Sequence, residues 1–243
     1  MTLSASPIWA ILPIKSLDGA KQRLRKVLSP NERRELMLNS ARDVLTALSH
    51  SSHLSGILLV SKDEDAIALG TEFDVSVLRI ESDNGQSDAI DKAVFYLQGI
   101  GVTSTLSIPG DAPLLLAVDI DIICDTLKNK PSITIVSNAD GTGSNCIGTS
   151  SAGLISYQFG TNSFAKHVAS AREHGIQPTL LSLPRLELDI DTPGDISQLM
   201  EHPARTRTQE FVANSGLQDR LFTTAHTALP RVNFLVENEI ASG

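Results

Sequence analysis

The chain has 243 residues, of which 41% are apolar and 20% are charged, and its formal net charge is −8. This length fits one large domain or two small ones, and the apolar share is sufficient to bury a hydrophobic core. The negative charge argues against a protein that coats DNA or RNA, because such proteins gain affinity through counterion release by lysine and arginine.

The sequence also indicates where the protein works. It has no apolar run long enough for a transmembrane helix, and its N-terminus lacks the basic region of a secretory signal. Cys124 and Cys146 lie far apart and form no C-x-x-C pair, so neither a disulfide framework nor a zinc site is indicated. We therefore expect a cytoplasmic protein without membrane or nucleic-acid partners.

Short β-rich segments alternate with helical patterns along most of the chain. Several of these segments are almost continuously apolar, as expected of strands that helices cover on both faces. The predicted strands span residues 9–14, 56–61, 75–80, 105–109, 132–137, 179–183 and 186–190. The predicted helices span residues 30–48, 118–128, 163–174, 193–201 and 208–220, with a further apolar stripe over 89–97.

This alternation predicts an α/β protein in which a mainly parallel sheet carries helices on both faces. The first helix has a strong start signal, because Ser29, Pro30 and Glu32 form a capping box with proline at the first helical position. We expect a single domain over residues 1–221. Periodicity is lost beyond it, which predicts a loosely ordered tail over residues 222–243.

The segment after the first strand, PIKSLDGAKQRL at residues 13–24, combines a glycine with several cations. Lys15, Lys21 and Arg23 could hold a polyphosphate there, because ligands of parallel sheets bind beyond the carboxyl ends of the strands. The segment matches neither the P-loop nor the dinucleotide fingerprint. An ordinary basic surface loop is the alternative.

The fourth strand is followed by PGDAPL at residues 109–114. Asp111, stiffened by prolines on either side, is suitably placed to hold Mg²⁺, or else only caps the turn. The fifth strand leads into the glycine-rich stretch 138–145, which exposes backbone N–H groups to an anion. In FGTNSFAKH, at 159–167, Gly160 and Ser163 would stand at a helix N-terminus that favours phosphate, or Ser163 is an ordinary N-cap.

The stretch ELDIDTPGD, residues 187–195, concentrates acidic side chains. In an extended chain Asp189 and Asp191 point to the same side, and two such carboxylates repel unless a cation or water lies between them. Thr192 and Asp195 form a capping box and start a helix, whereas Glu187 lies further back and is peripheral. The sequence thus predicts a metal site, Asp111 with Asp189 and Asp191, each at the end of a sheet strand.

Taken together, PIKSLDGAKQRL, SPNERREL, PGDAPL, DGTGSN, FGTNSFAKH and LELDIDTPGDI resemble the guanylyltransferases of deazaflavin coenzyme F-420 biosynthesis. These enzymes are called 2-phospho-L-lactate or phosphoenolpyruvate guanylyltransferases, and the resemblance covers about residues 8–200. The family is similar to the wider nucleotidyltransferase group that includes molybdenum-cofactor guanylyltransferase. The resemblance implies a Rossmann-like three-layer α/β/α sandwich around a mixed, mostly parallel sheet, like that of nucleotide-diphospho-sugar transferases.

The resemblance also implies roles for particular residues. The metal would be bound by the aspartates Asp111, Asp189 and Asp191. The phosphorylated acid would be held by Ser144, Asn145, Gly160 and Ser163. The nucleotide GTP would be contacted by Lys15, Lys21, Arg23, Asp111, Gly85 and Ser87.

One segment departs from the family pattern. Where the family has G-L-N-x-A, this chain has Gly85-Gln86-Ser87-Asp88-Ala89, with serine in place of asparagine. The strictness for GTP is therefore open. The preferred acid is also open among 2-phospho-L-lactate, phosphoenolpyruvate and 3-phosphoglycerate. The oligomeric state is open as well, with a homodimer as one possibility.

The reaction that the resemblance implies needs no general base. The phosphate of the acid would attack the α-phosphorus of GTP and expel pyrophosphate, and a phosphate monoester with a second pKa of about 6 is already largely dianionic at neutral pH. Three alternatives remain: a sugar-phosphate or molybdopterin nucleotidyltransferase, a glycosyltransferase that uses Asp189-Ile190-Asp191 as its D-x-D pair, and a nucleotide-sensing module without catalysis.

Overall fold

The computed structural model describes residues 7–82, 84–217 and 220. Their central feature is a seven-stranded sheet with the strand order β3-β2-β1-β4-β6-β5-β7. The strands are β1 (Ile8–Pro13), β2 (Gly56–Ser61), β3 (Ser76–Arg79), β4 (Ser104–Ser107), β5 (Ile133–Ser137), β6 (Ser144–Thr149) and β7 (Thr179–Leu181).

The sheet is mixed. Strands β1, β2, β3 and β4 pair in parallel, and β7 lies parallel to β5. Strand β6 runs antiparallel to both of its neighbours, β4 and β5. The predicted mixed, mostly parallel sheet is therefore confirmed.

Helices cover both faces of the sheet. They are α1 (Pro30–Ser49), α2 (Glu64–Glu72), α3 (Gln86–Gly99), α4 (Ala117–Thr126), α5 (Ser163–Glu173), α6 (Pro184–Glu187), α7 (Pro193–Glu201) and α8 (Arg207–Asn214). One core joins the sheet to Leu45 of α1, Leu69 of α2 and Ile120 of α4, and a second joins it to Ile90 of α3 and Ala171 of α5. These two cores make the predicted three-layer α/β/α sandwich, which is confirmed.

A third apolar cluster lies at one end of the sandwich. It joins Leu24, on a short 3-10 helix (Gln22–Leu24), to Ile196 of α7 and Val212 of α8. This cluster fixes the end of the basic segment 13–24 against the helix that follows the acidic stretch. Among the described residues no helix is both long and apolar enough to cross a membrane.

Capping interactions explain where the helices begin. Ser29 Oγ accepts from the Glu32 N–H at 3.3 Å, and the Glu32 carboxylate accepts from the Ser29 N–H at 2.8 Å. The same reciprocal box forms between Thr192 and Asp195 at the start of α7. Both capping boxes read from the sequence are thus confirmed, and each satisfies backbone donors that the first helical turn leaves free.

The predicted strand over residues 186–190 is wrong. Pro184 starts the single helical turn α6, because its fixed φ suits the first helical position. Residues 188–191 then run extended outside the sheet and are held by one backbone bond, from the Ile190 N–H to the Asp111 carbonyl at 3.0 Å. Asp189 and Asp191 therefore do not end a sheet strand.

Besides α6 and the short 3-10 helix, two further elements were missed, and one was predicted too long. Strand β6, whose sequence SNCIGT carries a glycine and three polar residues, gives little β signal although it lies inside the sheet. Helix α2 was also missed. The helix expected over 208–220 ends at Asn214, where Ser215 is its C-cap. The expected tail 222–243 lies outside the described residues, and the single domain over 1–221 stays a prediction.

Close packing between α2 and β3 yields a test of the fold. A Cβ added at Gly70 of α2 would lie 2.1 Å from Val77 Cγ2 of β3. We expect Gly70→Ala to lower the free energy of unfolding by about 1–3 kcal/mol, although alanine favours a helix by roughly 1 kcal/mol over glycine. Gly99→Ala in α3, where nothing lies within 4 Å, should not destabilise. Urea unfolding compares the two, and equal stabilities would contradict the packing.

Candidate active site

A cleft of about 530 Å³ opens at the carboxyl ends of β1 and β4, a size typical of small-molecule sites. Its walls come from segments that the sequence singled out, together with Met37 of α1, which it did not. Gln86 of α3 lines the cleft from the segment that departs from the family pattern, although no role was expected of it. The charged and polar lining residues are Lys15, Ser16, Asp18, Lys21, Gln86, Asp111, Ser144, Asn145, Asp189 and Asp191.

Three half-buried carboxylates meet in this cleft. Asp111, Asp189 and Asp191 each offer one oxygen, and these oxygens all lie within 4.8 Å of one another. The alternation predicted from the sequence survives in the extended segment, because Leu188 and Ile190 are buried while the two aspartates face the cleft. The three residues are brought together as predicted, although an extended segment outside the sheet rather than a sheet strand carries two of them.

Lys21 lies among the carboxylates. Its Nζ is 2.5 Å from Asp111 Oδ2 and 2.9 Å from Asp191 Oδ1, and only 6% of its side chain is exposed. Burial alone would lower the pKa of Lys21, but the two carboxylates outweigh burial and hold the pKa above its usual value. The ammonium therefore stays charged and is the protein's own counter-ion for this cluster.

One ammonium does not neutralise three carboxylates. Burial, followed by repulsion from Asp111 and Asp191, raises the pKa of Asp189 to about 6. Burial also acts to raise the pKa of Asp191. The charge and the hydrogen bond of Lys21 outweigh burial, so the pKa of Asp191 lies below its usual value. The cluster thus keeps a net negative charge near Asp189, which makes no ion pair with Lys21.

This donor set fits a divalent cation. Mg²⁺ takes oxygen ligands at about 2.0–2.1 Å, so two oxygens on opposite sides of one ion lie roughly 4.2 Å apart. The observed spacing of up to 4.8 Å needs a closure of less than about 1 Å. A cation bound here would share Asp111 and Asp191 with Lys21, or displace the ammonium from them.

The segment that carries Lys21 is held by residues that the sequence analysis did not single out. The guanidinium of Arg33, a buried residue of α1, donates to the Ala20 and Leu28 carbonyls at 2.9 Å each. Asp63 Oδ2 accepts from the Leu17 N–H at 2.9 Å. Lys21 itself has a left-handed backbone, with φ of 52°, which costs a non-glycine residue of order 1 kcal/mol. The two anchors hold that strained conformation.

The other predicted cations lie further out. Lys15 is exposed on the rim of the cleft. The Arg23 guanidinium is 3.8 Å from Asp191 Oδ2, with 75% of its side chain exposed. Both remain accessible to a polyanion in the cleft, whereas Lys21 is already engaged by the carboxylates.

Ser144 and Asn145 enter the cleft from the start of β6. The Asn145 amide donates to the Leu186 carbonyl at 2.8 Å and so holds α6 immediately before Asp189. The Ser144 N–H donates to Ser163 Oγ at 2.9 Å. Ser163 is the first residue of α5 and is buried, so it is not the N-cap; that position belongs to Asn162.

Gly160, Ser163, Gly85 and Ser87 are not among the residues that line the cleft. Gly160 has φ of 108°, a backbone conformation that favours glycine. Space is not the reason for a glycine there, since nothing lies within 4 Å of an added Cβ. Gly85 is the N-cap of α3. Ser87 Oγ accepts from the Phe159 N–H at 3.0 Å and joins α3 to the loop before α5.

Asp195 does more than cap α7. One oxygen of its carboxylate accepts from the N–H groups of Asp191 and Thr192, at 2.9 and 2.6 Å. The same carboxylate therefore caps α7 and positions Asp191. Glu187 is peripheral, as predicted, because its carboxylate accepts from the Ser182 hydroxyl on the exposed surface.

The three-layer sandwich of this chain is also found in solved structures of other proteins. A protein from Desulfovibrio desulfuricans G20, assigned as a nucleotide-diphospho-sugar transferase, has a similar fold, with a TM-score of 0.72 over 90% of this chain and 98% of that one. At 14% identity this likeness shows the fold alone. It confirms the predicted nucleotide-diphospho-sugar transferase-like architecture.

Family membership follows from the sequence itself. The model of the family described as "Guanylyl transferase CofC like" matches residues 8–231, and the chain belongs to this family. The resemblance drawn from its motifs is thereby confirmed.

Two relatives illustrate the family. The phosphoenolpyruvate guanylyltransferase of Roseiflexus sp. (strain RS-1) is 35% identical over 87% of this chain and 95% of its own length. The 2-phospho-L-lactate guanylyltransferase of Methanothermobacter thermautotrophicus is 27% identical over 84% of this chain and 88% of its own. The chain therefore spans nearly the full length of both relatives.

The position of Lys21 predicts competition with a divalent cation. Lys21→Met should tighten Mn²⁺ binding to the nucleotide-free protein about tenfold or more, because a unit charge about 4 Å away costs of order 4 kcal/mol at an effective dielectric of 20. Arg23→Met is the matched control and should change affinity far less, since exposed charges are screened. Electron paramagnetic resonance of free Mn²⁺ measures both. Equal affinities in a folded Lys21→Met protein would show that the ammonium does not compete.

Proposed function

We propose that the protein transfers a guanylyl group from GTP to the phosphate of a small phosphorylated acid and releases pyrophosphate, as a step in deazaflavin coenzyme F-420 biosynthesis. The observation that carries the proposal is the cluster of Asp111, Asp189 and Asp191, beside a basic segment, in a member of the guanylyl transferase family. The names of the two relatives supply the acids to be tested.

The chemistry fits the side chains in the cleft. An oxygen of the acid's phosphate forms a bond to the α-phosphorus of GTP while the bond from that phosphorus to the bridging oxygen breaks and pyrophosphate leaves. The nucleophile is already anionic, with a second pKa of about 6. Among the described lining residues there is no histidine or cysteine, and the reaction requires neither as a base.

The main obstacle is repulsion between two polyanions. Like unit charges about 4 Å apart cost of order 4 kcal/mol at an effective dielectric of 20. We assign Asp111, Asp189 and Asp191 to hold Mg²⁺, which when bound supplies charge neutralisation at the phosphates. Lys15, Lys21 and Arg23 extend this positive field along the triphosphate.

We assign different residues to the two substrates. The nucleotide side comprises Lys15, Lys21, Arg23, Gly85, Ser87 and Asp111. The acid side comprises Ser144, Asn145, Gly160 and Ser163, of which Ser144 and Asn145 line the cleft. We take phosphoenolpyruvate as the first acid to test, because the Roseiflexus relative named for it is 35% identical and the relative named for 2-phospho-L-lactate is 27% identical.

We also propose a cytoplasmic setting. Cys124 and Cys146 are free and buried in the structure, and burial raises the pKa of the Cys124 thiol to about 12. Such thiols are unreactive core residues, which suits a reducing compartment.

Product analysis tests the proposal directly. GTP and Mg²⁺ are incubated with phosphoenolpyruvate, 2-phospho-L-lactate and 3-phosphoglycerate in competition, and mass spectrometry identifies the guanylylated acid. CTP and a UDP-sugar are run in parallel, because they would reveal a cytidylyltransferase or a glycosyltransferase. We expect a guanylylated acid and pyrophosphate only with GTP. Binding of GTP without turnover of any acid would instead support a nucleotide sensor.

Variants of the acidic stretch separate chemistry from capping. Asp189→Asn and Asp191→Asn should keep the fold and lower turnover at least about a hundredfold, because each removes a charged metal ligand. Asp195→Asn retains an acceptor for the two N–H groups, so it should lower stability by up to about 1 kcal/mol and leave turnover at saturating substrate nearly unchanged. Pyrophosphate release and thermal unfolding are measured for all three. Wild-type turnover by either metal-site variant would refute the assignment.

A further inference from the structure

His167 is a buried histidine on the inward face of α5. Its side chain is fully enclosed, and its ring meets the Phe159 ring edge-on, with 5.0 Å between the centroids. Burial, with a smaller contribution from Lys166, lowers the pKa of His167 to about 4. The imidazole is therefore neutral near neutral pH, and one of its nitrogens is a donor while the other is an acceptor.

The surroundings of the ring decide which nitrogen carries the proton. The Gln158 N–H lies 2.8 Å from His167 Nε2, and a backbone N–H can only donate. Nε2 must therefore present its lone pair, and the proton of the neutral ring sits on Nδ1. Nδ1 is 3.0 Å from Ser144 Oγ, so this nitrogen donates to the serine hydroxyl.

This donation determines what Ser144 can do. Its oxygen accepts from His167 and its backbone N–H is used by Ser163 Oγ. No other described residue is placed to accept the Ser144 hydroxyl proton. Ser144 is one of the residues that line the cleft, so that proton is available to an acceptor on a ligand.

We propose that His167 is a positioning residue that holds the Ser144 hydroxyl as a donor to an anionic oxygen of the second substrate. The identity of that substrate as a phosphorylated acid rests on the proposed function. A serine hydroxyl can otherwise rotate and either donate or accept. A fixed Nδ1–H removes that choice and favours a carboxylate or phosphate oxygen, both of which only accept.

The geometry around the ring supports a fixed orientation. The bond from Gln158 secures Nε2 on one side, and Ser144 secures Nδ1 on the other. The next residue, Phe159, donates its N–H to Ser87 Oγ of α3. The ring is thus held between β6 and a loop that is itself tied to the nucleotide side of the cleft.

Two substitutions separate the two bonds of the ring. In His167→Asn, the amide nitrogen can replace Nδ1 as the donor to Ser144. In His167→Gln, the amide oxygen can replace Nε2 as the acceptor for the Gln158 N–H. We expect His167→Gln to raise the KM for phosphoenolpyruvate about ten- to hundredfold, as for the loss of a hydrogen bond to a charged group, with the KM for GTP within about twofold. His167→Asn should keep the KM for the acid within about threefold of wild type.

Further variants supply the controls. Ser144→Ala should raise the KM for the acid like His167→Gln, and the double variant should be no worse than Ser144→Ala alone, because both act through one hydroxyl. His174→Gln, at the C-cap of α5, should leave both KM values unchanged, because the ring Nδ1 of His174 bonds to the Ser170 carbonyl of the same helix and not to a cleft residue. Equal effects of His167→Gln and His167→Asn on both substrates, in parallel with lost stability, would overturn the proposal.

A measurement on the wild-type protein does not depend on turnover. Nitrogen-15 NMR of labelled histidine should show His167 neutral with the proton on Nδ1 near neutral pH, and inorganic phosphate should shift this signal in wild type but not in Ser144→Ala. A proton on Nε2, or no phosphate effect, would overturn the inference. A phosphate effect without turnover of any acid would sustain it while refuting the proposed guanylyl transfer.

Discussion

The crowding of three carboxylates around one buried ammonium is the constraint on which the cleft depends. Asp111, Asp189 and Asp191 would repel one another, and Lys21 offsets that repulsion from a position where only 6% of its side chain is exposed. The remaining negative charge is concentrated at Asp189, whose pKa lies near 6. A divalent cation bound at these carboxylates would relieve the repulsion among them, which is why the cluster suits such an ion.

The rest of the fold can be understood as support for that arrangement. The left-handed backbone at Lys21 is unfavourable by itself and persists because Arg33 and Asp63 secure the segment before and around it. On the opposite wall, Asn145 holds α6 and Asp195 holds the Asp191 N–H. Rigid placement matters because a reaction without a general base depends on positioning and electrostatics alone.

Local patterns predicted the fold well, and long-range contacts account for the failures. Capping boxes and apolar periodicity identified most helices, and the two-residue alternation correctly placed Asp189 and Asp191 on one side. That alternation indicates an extended chain but not the strand it pairs with. The segment was therefore wrongly placed in the sheet, although its backbone bond runs from the Ile190 N–H to Asp111 in the turn after β4. Strand β6 was missed because burial between β4 and β5, not intrinsic propensity, makes SNCIGT a strand.

His167 shows most clearly what a sequence withholds. From the sequence, a histidine within FGTNSFAKH fits either a surface position or a place near a phosphate. Its two partners, Gln158 and Ser144, are brought to it by a loop and by β6. The resulting environment lowers the pKa of the ring to about 4 and keeps it neutral. Under the proposed assignment, Ser144 is then an oriented donor for the acid, while Lys15 and Arg23 offer charge to the nucleotide. That division suits a nucleophile that arrives already anionic: a titrating histidine would add a proton it must not receive, whereas a fixed neutral donor orients it at every pH at which the phosphate is dianionic.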